Sequence, residues 1–396
     1  MSNAYLFATF FKVGLFSFGG NMALVSMVQK KLVEDDKVLD NSRLLEALSI
    51  AALLPGPMAV NVVAYIGYCF KGKRGAALSM LGVLLTAFLL MLFLSWLYYN
   101  SAVKPFFAGA MVYVIGAVCA IILSTGAALY KKEVAGDYKR MVICIAAMAG
   151  FFFGGNSYAI NLLFIALAGT LGVLLKLDAT TGGGVNTATE KSKPSPKFIS
   201  FIVLFLATVQ LFFSAGWYRQ VGNIYLKLVL IFSGLSLTLF GGGYVMIPAM
   251  QSLFVNDLQW LSRQEFVDAI AFSQLTPGPI MVSAVFIGFK MAGLSGALLA
   301  CLAMFVPPAM VMLLLSHYLN KSRHKAGFRS AMAGIKIVVI AMIIVSAFRL
   351  FPFSDFNVAA GAIFLISFVL NYFFKVNPFY IVLGTILISS AYVFLG

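Results

Sequence analysis

Two short stretches in this chain have residue types suited to chemistry: Pro55-Gly56-Pro57 and Pro277-Gly278-Pro279, 222 residues apart. Each interrupts a long apolar run. Proline lacks an N–H, clashes with the preceding turn and pushes the residue before it out of the helical region. A proline pair around a glycine therefore breaks a helix. Within a membrane such a break persists only where protein buries it or a polar cavity receives it. The second proline suits the first position of the helix that restarts. The freed N–H groups near Met58–Val60 and Ile280–Val282 then carry the positive end of the helix dipole. That chemistry is anion binding. A break that merely kinks a packed helix is the simpler reading of one copy, and duplication argues against it.

A second pair of breaks accompanies the first. Ser17, Phe18, Gly19, Gly20 and Asn21 are matched by Leu239, Phe240, Gly241, Gly242 and Gly243. Adjacent glycines permit positive φ and close backbone approach. Short polar side chains cluster nearby: Asn61 four residues after Pro57, Ser283 four after Pro279, and Gln274 and Thr276 just before the second break. Hydroxyl and amide donors can hold oxyanion oxygens, although singly such residues often bond only to helix backbone. Lys12 and Lys336 lie inside apolar runs, where a base is costly and usually functional; either could neutralise an anion or snorkel to the interface. Glu46 and Asp268 each stand nine residues before their Pro-Gly-Pro, about 13 Å along a helix. There they would cap or anchor the helix, or shuttle protons in coupling.

These residues need apolar elements to hold them. The chain has 396 residues, 62% hydrophobic and 10% charged, with mean hydropathy +0.98. Apolar runs recur at 4–29, 44–70, 76–99, 105–129, 140–155, 157–176, 199–216, 222–254, 265–289, 293–316, 326–348, 357–374 and 377–395. The expectation is an all-α polytopic membrane protein with about thirteen transmembrane segments. Nothing near Met1–Tyr5 resembles a cleavable signal peptide. Cys69, Cys119, Cys144 and Cys301 are scattered singly, which excludes a metal spacing and a disulfide framework. No phosphate-binding loop of the ATPase type and no paired catalytic carboxylates occur. An enzyme, a cofactor and a nucleic-acid partner are therefore not expected. The formal charge of +15 could attract anions, but first reflects loop bias. With the N-terminus inside, seventeen Lys and Arg fall in inside loops and eight outside. That places the N-terminus in the cytoplasm and the C-terminus on the far side. The loop 30–43 fits this less well, because its four bases would lie outside. If 4–29 and 44–70 were re-entrant hairpins, that loop would move inside and later parity would be unchanged.

The halves repeat. At an offset of 222, residues 10–57 match 232–279 at Phe10/Phe232, Phe18/Phe240, Gly19/Gly241, Gly20/Gly242, Gln29/Gln251, Asp35/Asp257 and the whole Pro-Gly-Pro, and Glu46 aligns with Asp268. After a one-residue slip, Gly72 and Gly75 match Gly293 and Gly296. Each repeat holds six runs, and the unpaired run 199–216 would turn the second repeat over. The domains are then an N-terminal repeat at 1–176, a Gly/Thr/Ser/Lys-rich linker at 177–198, a connecting helix within 199–221 and an inverted C-terminal repeat at 222–396. In such folds the site lies between the repeats near the midplane.

Phe18-Gly19-Gly20, Phe240-Gly241-Gly242, Pro55-Gly56-Pro57-Met58-Ala59-Val60-Asn61 and Ser273-Gln274-Leu275-Thr276-Pro277-Gly278-Pro279 together resemble the chromate ion transporter family, in its full-length two-domain form. The resemblance implies a bacterial inner-membrane protein exporting chromate, with sulfate as the close analogue, driven by an ion gradient. Ser283 where the first half has Asn61, and Lys336 opposite Met111, are departures between the halves. Beside the transporter reading stand an anion channel of the same architecture and a transporter of another small anion. The lipid bilayer is the expected environment, and a homodimer is one arrangement the sequence allows.

Overall fold

The protein is described here by a computed structural model, which covers residues 2–19, 21–52, 54–100, 111, 113–154, 157–177, 220–238, 243–322, 326–352 and 358–395. The linker beyond Leu177, the run 199–216 and Gly20, Gly241 and Gly242 lie outside the described residues. Among the described residues the regular structure is helical.

Four of the long apolar runs are not single crossing helices. Each goes in, breaks and comes back. α1 (Asn3–Phe16) is answered by α2 (Asn21–Val28), which continues as a π-helix over Gln29–Asp35. The Tyr5 hydroxyl donates to Asp36, so the start of the outgoing helix meets the end of the returning one. Lys31 closes the same corner at 2.7 Å from Asp36. α3 (Asn41–Ala51) is answered by the first arm of α4 (Met58–Tyr99). Arg43 and Glu46 line one cavity with Tyr65, Ile66 and Cys69, which makes these two segments antiparallel with Pro55-Gly56-Pro57 at the tip.

The second half repeats the scheme. α8 (Ile224–Thr238) is answered by a 3-10 turn (Gly243–Val245), α9 (Met246–Met250) and a π-helix (Gln251–Asp257). Phe232 and Phe254 pack tilted at 5.1 Å, and Lys227 lies 6.0 Å over the Trp260 ring. α10 (Arg263–Leu275) starts at a capping box in which Ser262 and Glu265 bond reciprocally. It is answered, after Pro277-Gly278-Pro279, by the turn Ile280–Val282 and the first arm of α11 (Ser283–Ser322). Lys290 reaches back to Glu265 at 2.7 Å and ties the open end.

α4 and α11 are long only by name. At Lys71 (φ −144°, ψ 29°) and Gly72 (φ 58°, ψ −147°) α4 turns back on itself. Ala292 (φ −153°, ψ 30°) and Gly293 (φ 61°, ψ −147°) do the same in α11. A Cβ added to Gly67 would lie 2.5 Å from the Gly75 carbonyl oxygen, and one on Gly288 2.3 Å from that of Gly296. Eight residues of straight helix span about 12 Å, so each is a tight helical hairpin. The local copies are close. Lys37 (φ 51°) and Gln259 (φ 53°) are left-handed at matching positions. Val38 and Leu39 donate to the Leu32 carbonyl, as Trp260 and Leu261 donate to that of Phe254.

The second arm of α4 links the halves. It begins at Gly75 beside Gly67, where the first-half hairpins open. Gly82 and Val83 then pack on Phe7, Phe11 and Gly14 of α1, backbone against backbone. Ala87 touches Gly278 at the second-half tip. The arm ends with Tyr98 and Tyr99 against Phe272, Phe286 and Phe289. The second arm of α11 follows the converse course: it leaves Gly288, passes Ser236 at Ala303, meets Gly56 with Pro308, and ends with Met312 in the first-half core.

Around these lie α5 (Val114–Glu133), α6 (Tyr138–Phe153), α7 (Tyr158–Leu174), α12 (Ala326–Leu350), α13 (Val358–Tyr372) and α14 (Pro378–Leu395). α7 and α12 approach through glycine: a Cβ on Gly334 would meet the Ala168 carbonyl at 2.1 Å. Small residues that admit a second backbone are the usual means of helix association in lipid. Val114–Glu133 and Ser330–Leu350 are long and apolar enough to cross a membrane as single helices. Leu81, Leu89, Phe93 and Trp96 of α4 face outward, as expected in a bilayer. This is a polytopic membrane protein.

Two outcomes are expected in thermal unfolding of detergent-solubilised protein. Gly67→Ala and Gly288→Ala each cost about 1–3 kcal/mol by overpacking the hairpins, whereas Gly384→Ala, with open space around it, changes little. Lys31 and Tyr5 hold the Asp36 carboxyl below its ordinary 3.8. The stability from this corner is therefore present above that pH, is lost as pH falls through the depressed value, and is absent at every pH in Asp36→Asn.

Candidate functional site

The breaks come together crosswise. The tip of the Gly-Gly hairpin in the first half meets the Pro-Gly-Pro tip of the second: the Gly278 N–H donates to the Ser17 carbonyl at 3.0 Å. Ser17 is fully buried, and its hydroxyl turns back to the Gly14 carbonyl. The first Pro-Gly-Pro tip is set against the second half, where a Cβ on Gly56 would lie 2.4 Å from Pro308 and 3.3 Å from the Ser236 carbonyl. Both central glycines are left-handed, with φ 94° at Gly56 and 112° at Gly278. Gly19 (φ 111°) rests on Asn377, whose amide donates to the Phe18 carbonyl at 3.0 Å while its oxygen accepts from the Phe379 N–H. Asn21 begins α2, and Gly243 begins the turn after the second break.

The helices that restart at the tips have no side-chain caps. Pro57 and Pro279 occupy the cap positions in extended conformation. Val60 and Val282 bond back to the Pro57 and Pro279 carbonyls at 3.0 Å, so the third N–H of each trio is taken. Met58–Ala59 and Ile280–Met281 present theirs without a capping side chain.

The two tips differ in their polar groups. In the first, Asn61 is buried and its amide donates to the Pro55 carbonyl at 3.1 Å, bonding the tip shut; its oxygen has no partner. In the second, the buried Ser283 hydroxyl has no partner. Across Pro277-Gly278-Pro279, the Gln274 amide nitrogen has none either, while its oxygen accepts from Tyr244 at 3.5 Å. Thr276 turns its hydroxyl to the Ser273 carbonyl. Thr86, beside the Ala87 that touches Gly278, has a buried hydroxyl without a partner. A buried donor left unpaired costs about 1–3 kcal/mol, so such groups call for an explanation. Here the groups are neutral donors beside an uncapped helix start. Chemically that suits a small oxyanion, bound by hydrogen bonds and dipoles and released without breaking an ion pair.

The bases and acids lie elsewhere. Lys12 is on an exposed face of α1. Lys336 lies 3.5 Å from the Glu133 carboxylate on α5. Glu46 is half-buried, facing a cavity of about 210 Å³ with Arg43, Tyr65 and Cys69. Asp268 is 1% exposed and accepts from Tyr98 at 2.7 Å and Gln264 at 2.8 Å. It does not cap α10, because Ser262 and Glu265 do. Asn377, Tyr98, Thr86 and Tyr244 were not foreseen. Asn377-Pro378 before an apolar run is a legible helix-start signal; the other three carry none.

Helical hairpins buried between two similarly built halves of an apolar helical chain suit the passage of a solute through a membrane. The chain belongs to the chromate transporter family, which it matches over residues 4–173 and again over 226–390. It is similar to a probable chromate transport protein of Synechococcus elongatus, 28% identical over 84% of this chain and 81% of that one. An uncharacterized transporter of Methanocaldococcus jannaschii is 25% identical over 93% and 89%. A chromate transport protein of Pseudomonas aeruginosa is 28% identical over 78% and 71%. No solved structure matches the chain.

The tips respond differently to truncation. Asn61→Ala loses the bond to Pro55 and is expected to lower stability by about 1 kcal/mol or more. Ser283→Ala removes an unpaired hydroxyl and leaves thermal unfolding unchanged or raised. Equal losses at both positions would show that Ser283 has a partner.

Proposed function

We propose that the protein is a secondary transporter of chromate or the analogous sulfate-type oxyanion, exporting it across the bacterial inner membrane under an ion gradient. The N-terminus is cytoplasmic and the C-terminus lies on the opposite face. Residues 1–176 and 222–396 are inverted repeats that rock around an anion at the hairpin tips. Ser17, Gly19, Asn21, Asn61, Thr86, Gln274, Thr276, Ser283 and the first-turn N–H groups after both Pro-Gly-Pro breaks surround it. The observation that carries this reading is the pair of unpaired donors, Gln274 and Ser283, at a tip bonded to the opposite half through Ser17. The names of the relatives support the cargo. The course of the second arm of α4, from the open end of one pair of hairpins past the tips to the other pair, supports inversion.

The absence of a fixed cation among the donors described suits turnover. A cargo held by dipoles can leave, whereas one held by buried bases is retained; favourable but weak binding is the general condition for passage. Uptake of labelled chromate and sulfate into proteoliposomes tests the reading, with Gly56→Ala and Gly278→Ala beside the wild type. Saturable flux driven uphill by a gradient is expected, and would exclude a channel. Both substitutions should reduce it at least tenfold, because each forces a left-handed residue at a tip, at a cost of about 1–2 kcal/mol, and displaces the donors. Normal transport by both variants would remove the tips from the mechanism.

A further inference from the structure

Among the described residues, Asp268 is the most buried carboxylate, and the binding scheme above leaves it unused. It stands on α10, one hairpin arm of the second half. Its strongest contact crosses to the first half: the Tyr98 hydroxyl, near the end of α4, donates to Oδ2 at 2.7 Å. Gln264, one turn earlier on its own helix, donates to Oδ1 at 2.8 Å and is itself held by the Met111 carbonyl at 3.2 Å. Aromatic rings close the rest. Tyr98 packs edge-on to Phe272 at 5.7 Å and to Phe286 at 5.2 Å, and Tyr99 lies 5.1 Å from Phe286.

Among the described residues no ion pair of Asp268 accompanies these bonds. The titratable groups that packed elements bring to this end of α10 are few. α4 supplies Tyr98 and Tyr99. α11 supplies Lys290, whose ammonium is taken by Glu265 at 2.7 Å. α5 supplies the buried thiol of Cys119. On α14, Tyr380 is exposed and follows the Asn377 turn at the hairpin tips. α10 itself adds Glu265 and the exposed Arg263. A buried carboxylate with hydrogen-bond donors but no counter-ion is a group that takes up protons rather than one that binds a fixed cation. The equivalent Glu46 has no such setting, since it is half-buried at a cavity beside Arg43.

We infer that Asp268 is the proton-carrying residue of transport, and that its hydrogen bond to Tyr98 is the latch by which protonation is felt between the halves. This rests on the transport reading above. The step is a simple acid–base one. One proton adds to the carboxylate and gives a neutral acid, whose O–H now donates. The Tyr98 oxygen can accept as well as donate, whereas the Gln264 amide nitrogen at Oδ1 only donates, so the proton finds its acceptor on Oδ2, where it reverses the cross-half bond. That changes the relative stability of the two arrangements of the halves. The charge lost from α10 offsets part of the cost of moving the anion past an apolar wall.

The test uses the full-length protein in proteoliposomes and two assays: accumulation of labelled chromate driven by a pH gradient, and exchange of labelled for unlabelled chromate at equal pH. Asp268→Asn should exchange within about twofold of wild type and lose gradient-driven accumulation at least tenfold. Tyr98→Phe keeps the carboxyl and should keep coupling, with the half-maximal pH moved by roughly a unit. It also serves as the test if Asp268→Asn fails to fold. Full gradient response in Asp268→Asn, or an unmoved pH profile in Tyr98→Phe, overturns the inference. Wild-type exchange that ignores a pH gradient also overturns it and leaves the transport reading standing. A wild type that neither exchanges nor accumulates chromate overturns the transport reading instead.

Discussion

Backbone hydrogen bonds that lipid cannot supply are the constraint on which this structure depends. The Pro-Gly-Pro tips of both halves and the 16–19 end of the first hairpin have N–H and C=O groups that have lost their helical partners. In a bilayer core such groups cost several kcal/mol unless protein satisfies them. Here they are satisfied from across the molecule. The Gly278 N–H finds the Ser17 carbonyl, and the Phe18 carbonyl finds the Asn377 amide. These are contacts between halves, so the tips are stable only when the halves are together. The polar groups left unpaired at the second tip are then not an oversight of packing. They are the part of the break that protein does not fill, and where we propose that the anion sits.

Duplication explains the economy of the design, and divergence explains its direction. The π-helices at Gln29–Asp35 and Gln251–Asp257, the left-handed Lys37 and Gln259, and the bends at Gly72 and Gly293 recur with the same geometry. The polar residues do not. Asn61 bonds its own tip shut, whereas Ser283 leaves its tip open. Glu46 faces a cavity and Asp268 faces a tyrosine from the other half. The repeated scaffold thus carries unequal groups at equivalent positions.

The breaks, the repeat and its spacing were legible because proline and glycine act locally, through a missing N–H and a missing Cβ, whatever surrounds them. Gly72 and Gly293 marked the helical bends for the same reason. The hairpins were harder. The run 4–29 has the length and apolarity of a crossing helix, and only the Tyr5–Asp36 contact shows that α1 and α2 run in opposite directions. Long-range partners leave no trace in a single sequence: Lys336 looks like a binding base until Glu133, 203 residues away, is placed beside it. Asp268 reads as a helix anchor by position. Its burial under Tyr98 depends on α4 crossing to the other half, which hydropathy cannot register.

The central claim is that the two pairs of hairpins enter from opposite faces and meet at their tips. Lys37 and Gln259 occupy equivalent exposed turns at the open ends of those pairs. The most direct measurement is labelling by a membrane-impermeant maleimide of Lys37→Cys and Gln259→Cys, each in a protein lacking its four native cysteines, in right-side-out and inverted vesicles. The account predicts that position 37 is labelled from the cytoplasmic face alone and position 259 from the opposite face alone. Labelling of both positions from the same face would contradict it.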